Sequence, residues 1–121
     1  MRRMQTILII DDNAIFRRQA RAVLEADGLS VIGEAEDGTS GLALARRLRP
    51  DIVLLDIGLP DIEGFEVANA LAGDDQPPRV VFTSSRDARE YGPRLGQSRS
   101  DGFIPKDELS AAAIRAMLEE R

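Results

Sequence analysis

Five side chains that follow apolar runs could together carry out chemistry on a phosphoryl group. They are Asp11, Asp12, Asp56, Thr83 and Lys106. Three carboxylates in one place would repel one another, and at least one would be pushed towards its protonated form. Mg²⁺ would relieve this repulsion, because it binds a few carboxylate oxygens and keeps waters that a phosphate can replace. An aspartate beside Mg²⁺ and opposite a cation is suited to attack phosphorus as a nucleophile.

The basic member of this set stands out in the composition. Lys106 is the only lysine of the chain, whereas the other fifteen basic residues are arginine. A lysine ammonium is a compact point charge, while the guanidinium of arginine is a wide planar fork. We therefore expect Lys106 to face one phosphoryl oxygen and the Thr83 hydroxyl to hydrogen-bond another.

Composition argues against several other functions. The chain has neither cysteine nor histidine, so disulfide, thiol, zinc and di-iron chemistry lack their usual ligands. The net charge of −5 speaks against direct nucleic-acid binding by this chain. No apolar run reaches the ~18 residues of a membrane span, and no signal peptide precedes the first apolar run. We expect one cytoplasmic domain over residues 1–121, without an effector domain.

Apolar runs and amphipathic stretches alternate along the chain and predict strands and helices in turn. The predicted strands are 7–10, 30–35, 51–56, 79–83 and 102–104, and the predicted helices are 13–26, 39–48, 64–72, 86–98 and 107–119. Near-continuous apolar strands are typical of a parallel sheet covered on both faces. The predicted fold class is therefore α/β, a doubly wound five-stranded parallel sheet of order 2-1-3-4-5, which is flavodoxin-like.

Three helices allow more detailed predictions. Asn13 is expected to cap the first helix, and Gly28 to end it. Gly92 and Pro93 should leave the helix 86–98 short or distorted. The residues expected to face the core are Phe16, Ala20, Val23 and Leu24 in the first helix and Leu109, Ala113, Ala116 and Met117 in the last.

Each candidate site residue also has an ordinary structural explanation. An aspartate pair after a strand often caps a helix, and a single aspartate such as Asp56 often forms a turn. Thr83 could be a strand former, and Lys106 a surface ion-pair partner of Asp107 or Glu108. In a doubly wound sheet, however, the carboxyl ends of all strands meet at one edge, where such folds place their sites. The joint arrangement therefore favours a functional site.

At four places, in family order, the sequence resembles the receiver domains of bacterial two-component response regulators. The matching stretches are ILIIDDN at 7–13, DIVLLDIGLPDIEGFEV at 51–67, VVFTSS at 80–85 and GFIPK at 102–106. The second stretch matches the phosphoacceptor pattern of that family at Asp56, Leu59, Pro60 and Gly64. The resemblance covers essentially the whole chain.

The resemblance implies a role for each residue of the site. Asp56 would accept a phosphoryl group from the phosphohistidine of a sensor histidine kinase. Asp12, Asp56 and the backbone carbonyl of Gly58 would bind Mg²⁺ directly, and Asp11 would act through a metal-bound water. Lys106 would contact Asp56 before phosphorylation and a phosphoryl oxygen after it.

The resemblance also implies a conformational switch. Thr83 would move towards the phosphate and Phe103 would follow it inward, while Ser84 would keep the entry open. These movements would remodel the surface formed by the fourth helix, the fifth strand and the fifth helix. An output domain or partner protein would read that surface, and a second copy of the chain could use it to form a homodimer.

Three features depart from the family pattern, and one is the break of the fourth helix at Gly92 and Pro93, which predicts an irregular switching surface. Many receivers have proline after the lysine, whereas here Pro105 precedes Lys106 and Asp107 follows it. Similar lysine-polar sequences occur in receivers joined to helix-turn-helix domains, so the chain is expected to serve a DNA-binding transcriptional regulator. Gly58 stands where the family usually has a larger side chain. This glycine would leave the site open to water and predicts a short-lived phosphorylated state.

Two other function classes stay open. A pseudo-receiver would keep the fold as a protein-interaction module without phosphoryl chemistry, although the complete set of five side chains speaks against it. A Mg²⁺-dependent phosphohydrolase of the aspartyl-phosphate type would need an aspartate two residues after the nucleophile, where this chain has Gly58. We therefore expect a signalling protein that accepts and hydrolyses its own phosphoryl group rather than an enzyme with other substrates.

Overall fold

The computed structural model describes residues 4–86, 88–97 and 100–119, which form a five-stranded sheet with α-helices on both faces. The strands are β1 (Thr6–Ile10), β2 (Ser30–Ala35), β3 (Ile52–Asp56), β4 (Arg79–Ser84) and β5 (Gly102–Pro105). The helices are α1 (Ala14–Ala26), α2 (Gly38–Leu48), α3 (Gly64–Ala72), α4 (Pro93–Gln97) and α5 (Ala111–Glu119). Neighbouring strands are parallel and follow the order β2-β1-β3-β4-β5, which confirms the predicted fold.

Apart from Thr6 at the start of β1 and Asp56 at the end of β3, the two central strands are apolar, because helices cover both of their faces. On one face, Ile7 and Ile9 pack in a core cluster with side chains of α1 and α5. On the other face, Leu8 and Ile10 pack with side chains of α2 and α3. With both faces covered, the strands meet solvent chiefly at their ends, where Asp56 closes β3.

Helix α1 begins as the sequence predicts. The side chain of Asn13 accepts hydrogen bonds from the backbone N–H groups of Ile15 and Phe16, at 3.0 and 3.1 Å. The helix ends at Ala26, and Gly28 follows with a φ of 92°, a left-handed conformation that suits glycine. The prediction for Val23 is wrong: its side chain is 41% exposed, since it lies at the edge of the buried arc of the helix.

Helix α5 starts later than predicted. Residues 106–108 form a 3₁₀ turn, and the helix begins at Ala111 after Ser110, whose hydroxyl accepts a hydrogen bond from the N–H of Ala113 at 3.0 Å. Ala111, Ile114 and Leu118 are buried, and Leu109, Ala113 and Met117 pack partly buried against the same core cluster. The inward prediction for Ala116 is wrong, because this residue is exposed on the opposite side of the helix.

The predicted helix 86–98 is distorted, as expected. It is replaced by a 3₁₀ segment, Ala88–Tyr91, followed by the five-residue helix α4. Gly92 separates the two with a φ of 58°, and Pro93 starts α4; positions 87 and 98 lie outside the described residues. None of the helices in the described ranges has the length and apolar character required to cross a bilayer.

Candidate functional site

Three carboxylates come together at the carboxyl edge of the sheet. One oxygen from each of Asp11, Asp12 and Asp56 lies within 4.8 Å of the others. Asp11 and Asp56 are buried and Asp12 is exposed, so the cluster reaches from the core to solvent. An all-oxygen donor set of this size fits Mg²⁺, which prefers a few carboxylates together with water. The structure therefore brings together the side chains that the sequence predicts at the ends of β1 and β3.

The backbone around Asp11 is held from several directions. Its N–H donates to the carbonyl of Ala35 at 2.9 Å, and its Oδ1 accepts from the N–H of Asn13 at 2.9 Å. Its own carbonyl accepts a hydrogen bond from the guanidinium of Arg17 at 2.6 Å, and Arg17 also pairs with Glu34 at 3.0 Å. Sequence reasoning missed this role of Arg17, because nothing in a helical pattern indicates which strand end an arginine reaches.

Lys106 directly follows β5, the strand at one edge of the sheet, and its side chain reaches the acidic cluster. Its Nζ lies 2.8 Å from Asp11 Oδ2 and 3.9 Å from Asp56 Oδ2, and 4.5 Å from the centre of the Phe16 ring. The closer ion pair is thus with Asp11, whereas the sequence led us to expect Asp56 as the main contact. A cation between two buried carboxylates lowers their mutual repulsion and can turn towards either of them.

The environment of Asp56 disfavours its charged form. Burial raises the pKa of Asp56 to about 6, and the charge of Asp11 acts in the same direction. Lys106 and a hydrogen bond of 3.3 Å from the N–H of Gly58 oppose this increase in pKa without cancelling it. A further cation at the cluster would therefore stabilise the ionised carboxylate.

Glycines shape the loop that follows Asp56. A Cβ on Gly64 would lie 2.5 Å from the carbonyl oxygen of Asp56, which explains why the motif requires glycine there. Gly58 is exposed, and a Cβ on it would meet no heavy atom within 4 Å. The site is open on this side, in agreement with the expected access of water, and the short lifetime of a phosphorylated state stays a prediction.

Thr83 and Ser84 end β4 next to Asp56. Thr83 pairs with Asp56 in the register of β3 and β4, and its buried hydroxyl has no hydrogen-bond partner among the residues that the structure describes. The hydroxyl of Ser84 lies 2.6 Å from that of Tyr91. The ring of Tyr91 contacts Phe103, with the ring centres 6.4 Å apart. Sequence reasoning missed Tyr91, although it is the only tyrosine of the chain.

The acidic cluster opens into a cleft of about 670 Å³, which Asp56, Gly58 and Lys106 line together with two arginines. One of these, Arg94, pairs with Glu63 at 2.7 Å and lies 4.4 Å from the centre of the Phe65 ring. The cleft therefore combines an acidic end with a rim of mixed charge, because Glu63 and Glu90 line it beside the arginines.

The order of the sheet and the acidic cluster with its lysine define a receiver-type signalling fold. Residues 7–119 match the family model of the response regulator receiver domain. The chain belongs to this family of two-component signalling proteins, which the resemblance in its sequence predicted.

Relatives of the chain include bacterial response regulators and transcription regulators. The chain is 36% identical over 114 residues to the nitrate/nitrite response regulator protein NarP of Escherichia coli K12, covering 91% of this chain and 53% of NarP. It is 37% identical over 110 residues to the virulence-factor transcription regulator BvgA of Bordetella pertussis, covering 91% of this chain and 53% of BvgA. The chain thus spans about half the length of these curated relatives.

Solved structures are similar along almost the whole chain. The signal receiver domain of NarL from Mycobacterium tuberculosis is 28% identical with a TM-score of 0.89, covering 99% of this chain and all of that one. A LuxR-family two-component response regulator from Aurantimonas sp. SI85-9A1 is 27% identical with a TM-score of 0.86, covering 98% of this chain and 88% of that one.

Proposed function

We propose that this chain accepts a phosphoryl group on Asp56 from the phosphohistidine of a sensor histidine kinase, in a reaction that depends on Mg²⁺. The observation that carries the proposal is the position of Asp56. One oxygen of its buried carboxylate lies within 4.8 Å of an oxygen of each of two other carboxylates, and Oδ2 lies 3.9 Å from the ammonium of Lys106. Membership of the receiver family supports the same reading.

The roles of the side chains follow from their chemistry. A carboxylate oxygen of Asp56 attacks phosphorus, a P–O bond forms as the P–N bond to histidine breaks, and the imidazole nitrogen keeps the electron pair. The pKa of about 6 leaves Asp56 mostly ionised at pH 7, as a nucleophile must be. Mg²⁺, held by Asp12, Asp56 and the Gly58 carbonyl, with Asp11 acting through water, would neutralise charge on the phosphoryl oxygens. Lys106 balances the remaining negative charge.

The output is a protein contact. After phosphorylation Thr83 donates its unpartnered hydroxyl to a phosphoryl oxygen, Phe103 moves inward, and Ser84 leaves room for the group. The surface of α4, β5 and α5 then changes and is read by an output domain, a partner protein or a second copy of the chain. Because BvgA is named as a transcription regulator and NarP as a nitrate/nitrite response regulator, we assign the chain to a DNA-binding regulator in the cytoplasm, without direct contacts to nucleic acid or membrane from this domain.

Incubation with acetyl phosphate and Mg²⁺ tests the proposal. We expect one base-labile phosphoryl group per chain, detected by intact-mass spectrometry, and none after Asp56→Asn or after chelation of Mg²⁺. The exposed Asp75 provides a matched control, and Asp75→Asn should behave as the unchanged protein. No labelling would identify a pseudo-receiver, and repeated turnover of unrelated phosphate esters would identify a phosphohydrolase.

A further inference from the structure

Asp61 ties the loop after Asp56 to the start of α2. Its Oδ1 accepts a hydrogen bond from the N–H of Gly38 at 2.7 Å. Its Oδ2 accepts from the N–H and from the hydroxyl of Thr39, at 2.8 and 2.6 Å. The Thr39 hydroxyl and these backbone N–H groups hold the pKa of Asp61 well below its usual range. The carboxylate is thus a strong acceptor although it is exposed.

Capping of α2 does not by itself explain this arrangement. The helix already has a cap of its own, because the side chain of Asp37 accepts from the N–H of Ser40 at 2.7 Å. Asp61 comes from another segment, 22 residues further along the chain than Thr39. Next to it, the side chain of Ile62 fills the space at Gly38, where a Cβ would lie 2.4 Å from the nearest atom of Ile62. Asp61 and Ile62 therefore anchor one end of the loop firmly to α2.

The other end of the loop is held by backbone hydrogen bonds. The N–H of Ile57 donates to the carbonyl of Thr83 at 3.2 Å, and the N–H of Gly64 donates to the carbonyl of Ile57 at 2.9 Å. Between these anchors, Gly58 is exposed and has no side chain with which to pack. The position of its carbonyl therefore depends on the anchors on either side.

We propose that Asp61 is a positioning residue for phosphoryl acceptance, because it holds the loop that presents the Gly58 carbonyl and Asp56 to Mg²⁺. This inference rests on the proposed function and deepens it. Coupling is reciprocal, so an ion that orders the loop must also strengthen the contact of Asp61 with α2. Mg²⁺ should accordingly slow hydrogen exchange at the N–H groups of Gly38 and Thr39.

The experiment compares two aspartate caps at the same helix end. Asp61→Asn has nearly the same shape but replaces one carboxylate oxygen by an amide NH₂ group. This group cannot accept the hydrogen bonds that Gly38 and Thr39 donate. We expect it to weaken Mg²⁺ binding about fivefold in isothermal titration calorimetry, a typical coupling between sites. Labelling by acetyl phosphate should slow at low Mg²⁺ and recover at saturating Mg²⁺. Asp37→Asn makes the same chemical change at the aspartate that caps α2 from within, and it should leave Mg²⁺ affinity unchanged.

Hydrogen exchange separates positioning from simple loss of stability. In the unchanged protein, Mg²⁺ should protect the N–H groups of Gly38 and Thr39, and Asp61→Asn should abolish that protection. Thr39→Val removes only the hydrogen bond from the Thr39 hydroxyl to Asp61 and should therefore reduce the protection by Mg²⁺ to a smaller extent. This variant tests the inference if Asp61→Asn folds poorly. Equal Mg²⁺ affinities in the Asp61 and Asp37 variants would overturn the inference. Failure of the unchanged protein to bind Mg²⁺ or take up phosphate would instead overturn the proposed function.

Discussion

Two halves of the carboxyl edge are built differently. The acceptor half consists of β1, β3, α2 and the loop 57–63, and the reporting half consists of the 3₁₀ segment Ala88–Tyr91, α4 and β5. Every residue of β3 is buried, whereas α4 has no buried residue and β5 buries only Ile104. Segments with few buried contacts open and move at low free-energy cost. The acceptor half is thus built around a fully buried strand, whereas the reporting half consists of segments with little burial, and we expect the reporting half to open and move more readily.

Contacts at the boundary connect the two halves. Lys106 follows β5 and pairs with Asp11 beyond β1, while Thr83 lies beside Asp56 and precedes Ser84, which contacts Tyr91. A change of charge at Asp56 therefore acts on boundary groups that adjoin the reporting half. Substitutions at the boundary should affect communication more strongly than substitutions within either half.

The largest effect is expected for Lys106→Arg. The ammonium lies between two carboxylates with its side chain only 18% exposed, and the planar fork of arginine needs more room there. We expect the fold and partial labelling of Asp56 to persist, while the response of β5 and α4 to phosphorylation falls about tenfold or more, because misplaced groups lose effectiveness steeply. Amide chemical shifts of residues 88–97 and 102–105, with and without acetyl phosphate, measure that response.

Two matched measurements make the Lys106→Arg result interpretable. The stoichiometry of labelling, measured on the same samples, separates loss of communication from loss of acceptance. Arg115→Lys, at the other end of the sheet where Arg115 contacts the carbonyl of Asp27, should leave the response unchanged. A full response in Lys106→Arg would mean that the two halves communicate without this lysine.

The two halves also differ in how far the sequence predicted them. Asp11, Asp56 and Thr83 were predictable because continuous apolar runs define parallel strands, whose carboxyl ends must share one edge. The bond between Asp61 and Thr39 was not, since it joins the loop after β3 to the first turn of α2, and no local pattern relates these two segments. Tyr91 was missed for a similar reason, because the broken helix 86–98 gave no face on which to place its side chain.

Boundaries were predicted less well where capping competes with periodicity. The last helix was expected from 107, but Ser110 provides a hydroxyl for the N–H of Ala113 and the helix starts at Ala111. This choice leaves Lys106 in a 3₁₀ turn, directly after β5. The strand pattern predicted that Lys106 lies at the carboxyl edge of the sheet, whereas the competition between cap and helix set the backbone that carries it.

A second, smaller effect is expected within the acceptor half. Because the pKa of Asp56 is raised to about 6 from an ordinary value near 4, the folded state binds a proton more tightly than the unfolded one. The free energy of unfolding should therefore fall as the pH rises through this range, and the loss should be complete above about pH 6. Without Mg²⁺ at pH 7, Asp56→Asn should be more stable by about 1–2 kcal/mol, allowing for solvent screening.

Urea unfolding at several pH values measures this difference. The advantage of Asp56→Asn should shrink towards pH 4, where the aspartate is protonated in the folded state, and added Mg²⁺ should stabilise the unchanged protein more than the variant. Asp75→Asn serves as the exposed control. Equal stability of Asp56→Asn and the unchanged protein across this pH range would show that the acceptor half does not carry the electrostatic penalty we infer.

The smallest effect is expected within the reporting half, for Tyr91→Phe. The change removes the hydroxyl that lies 2.6 Å from Ser84 and keeps the ring between Phe65 and Phe103. A single hydrogen bond contributes ~0.5–1.5 kcal/mol, and in a loosely packed segment its loss should appear as local opening rather than global unfolding. Hydrogen exchange should therefore quicken in residues 88–97 while urea unfolding and labelling of Asp56 stay unchanged. A loss of global stability equal to the local change would mean that this segment unfolds together with the acceptor half, and the contrast between the two halves would disappear.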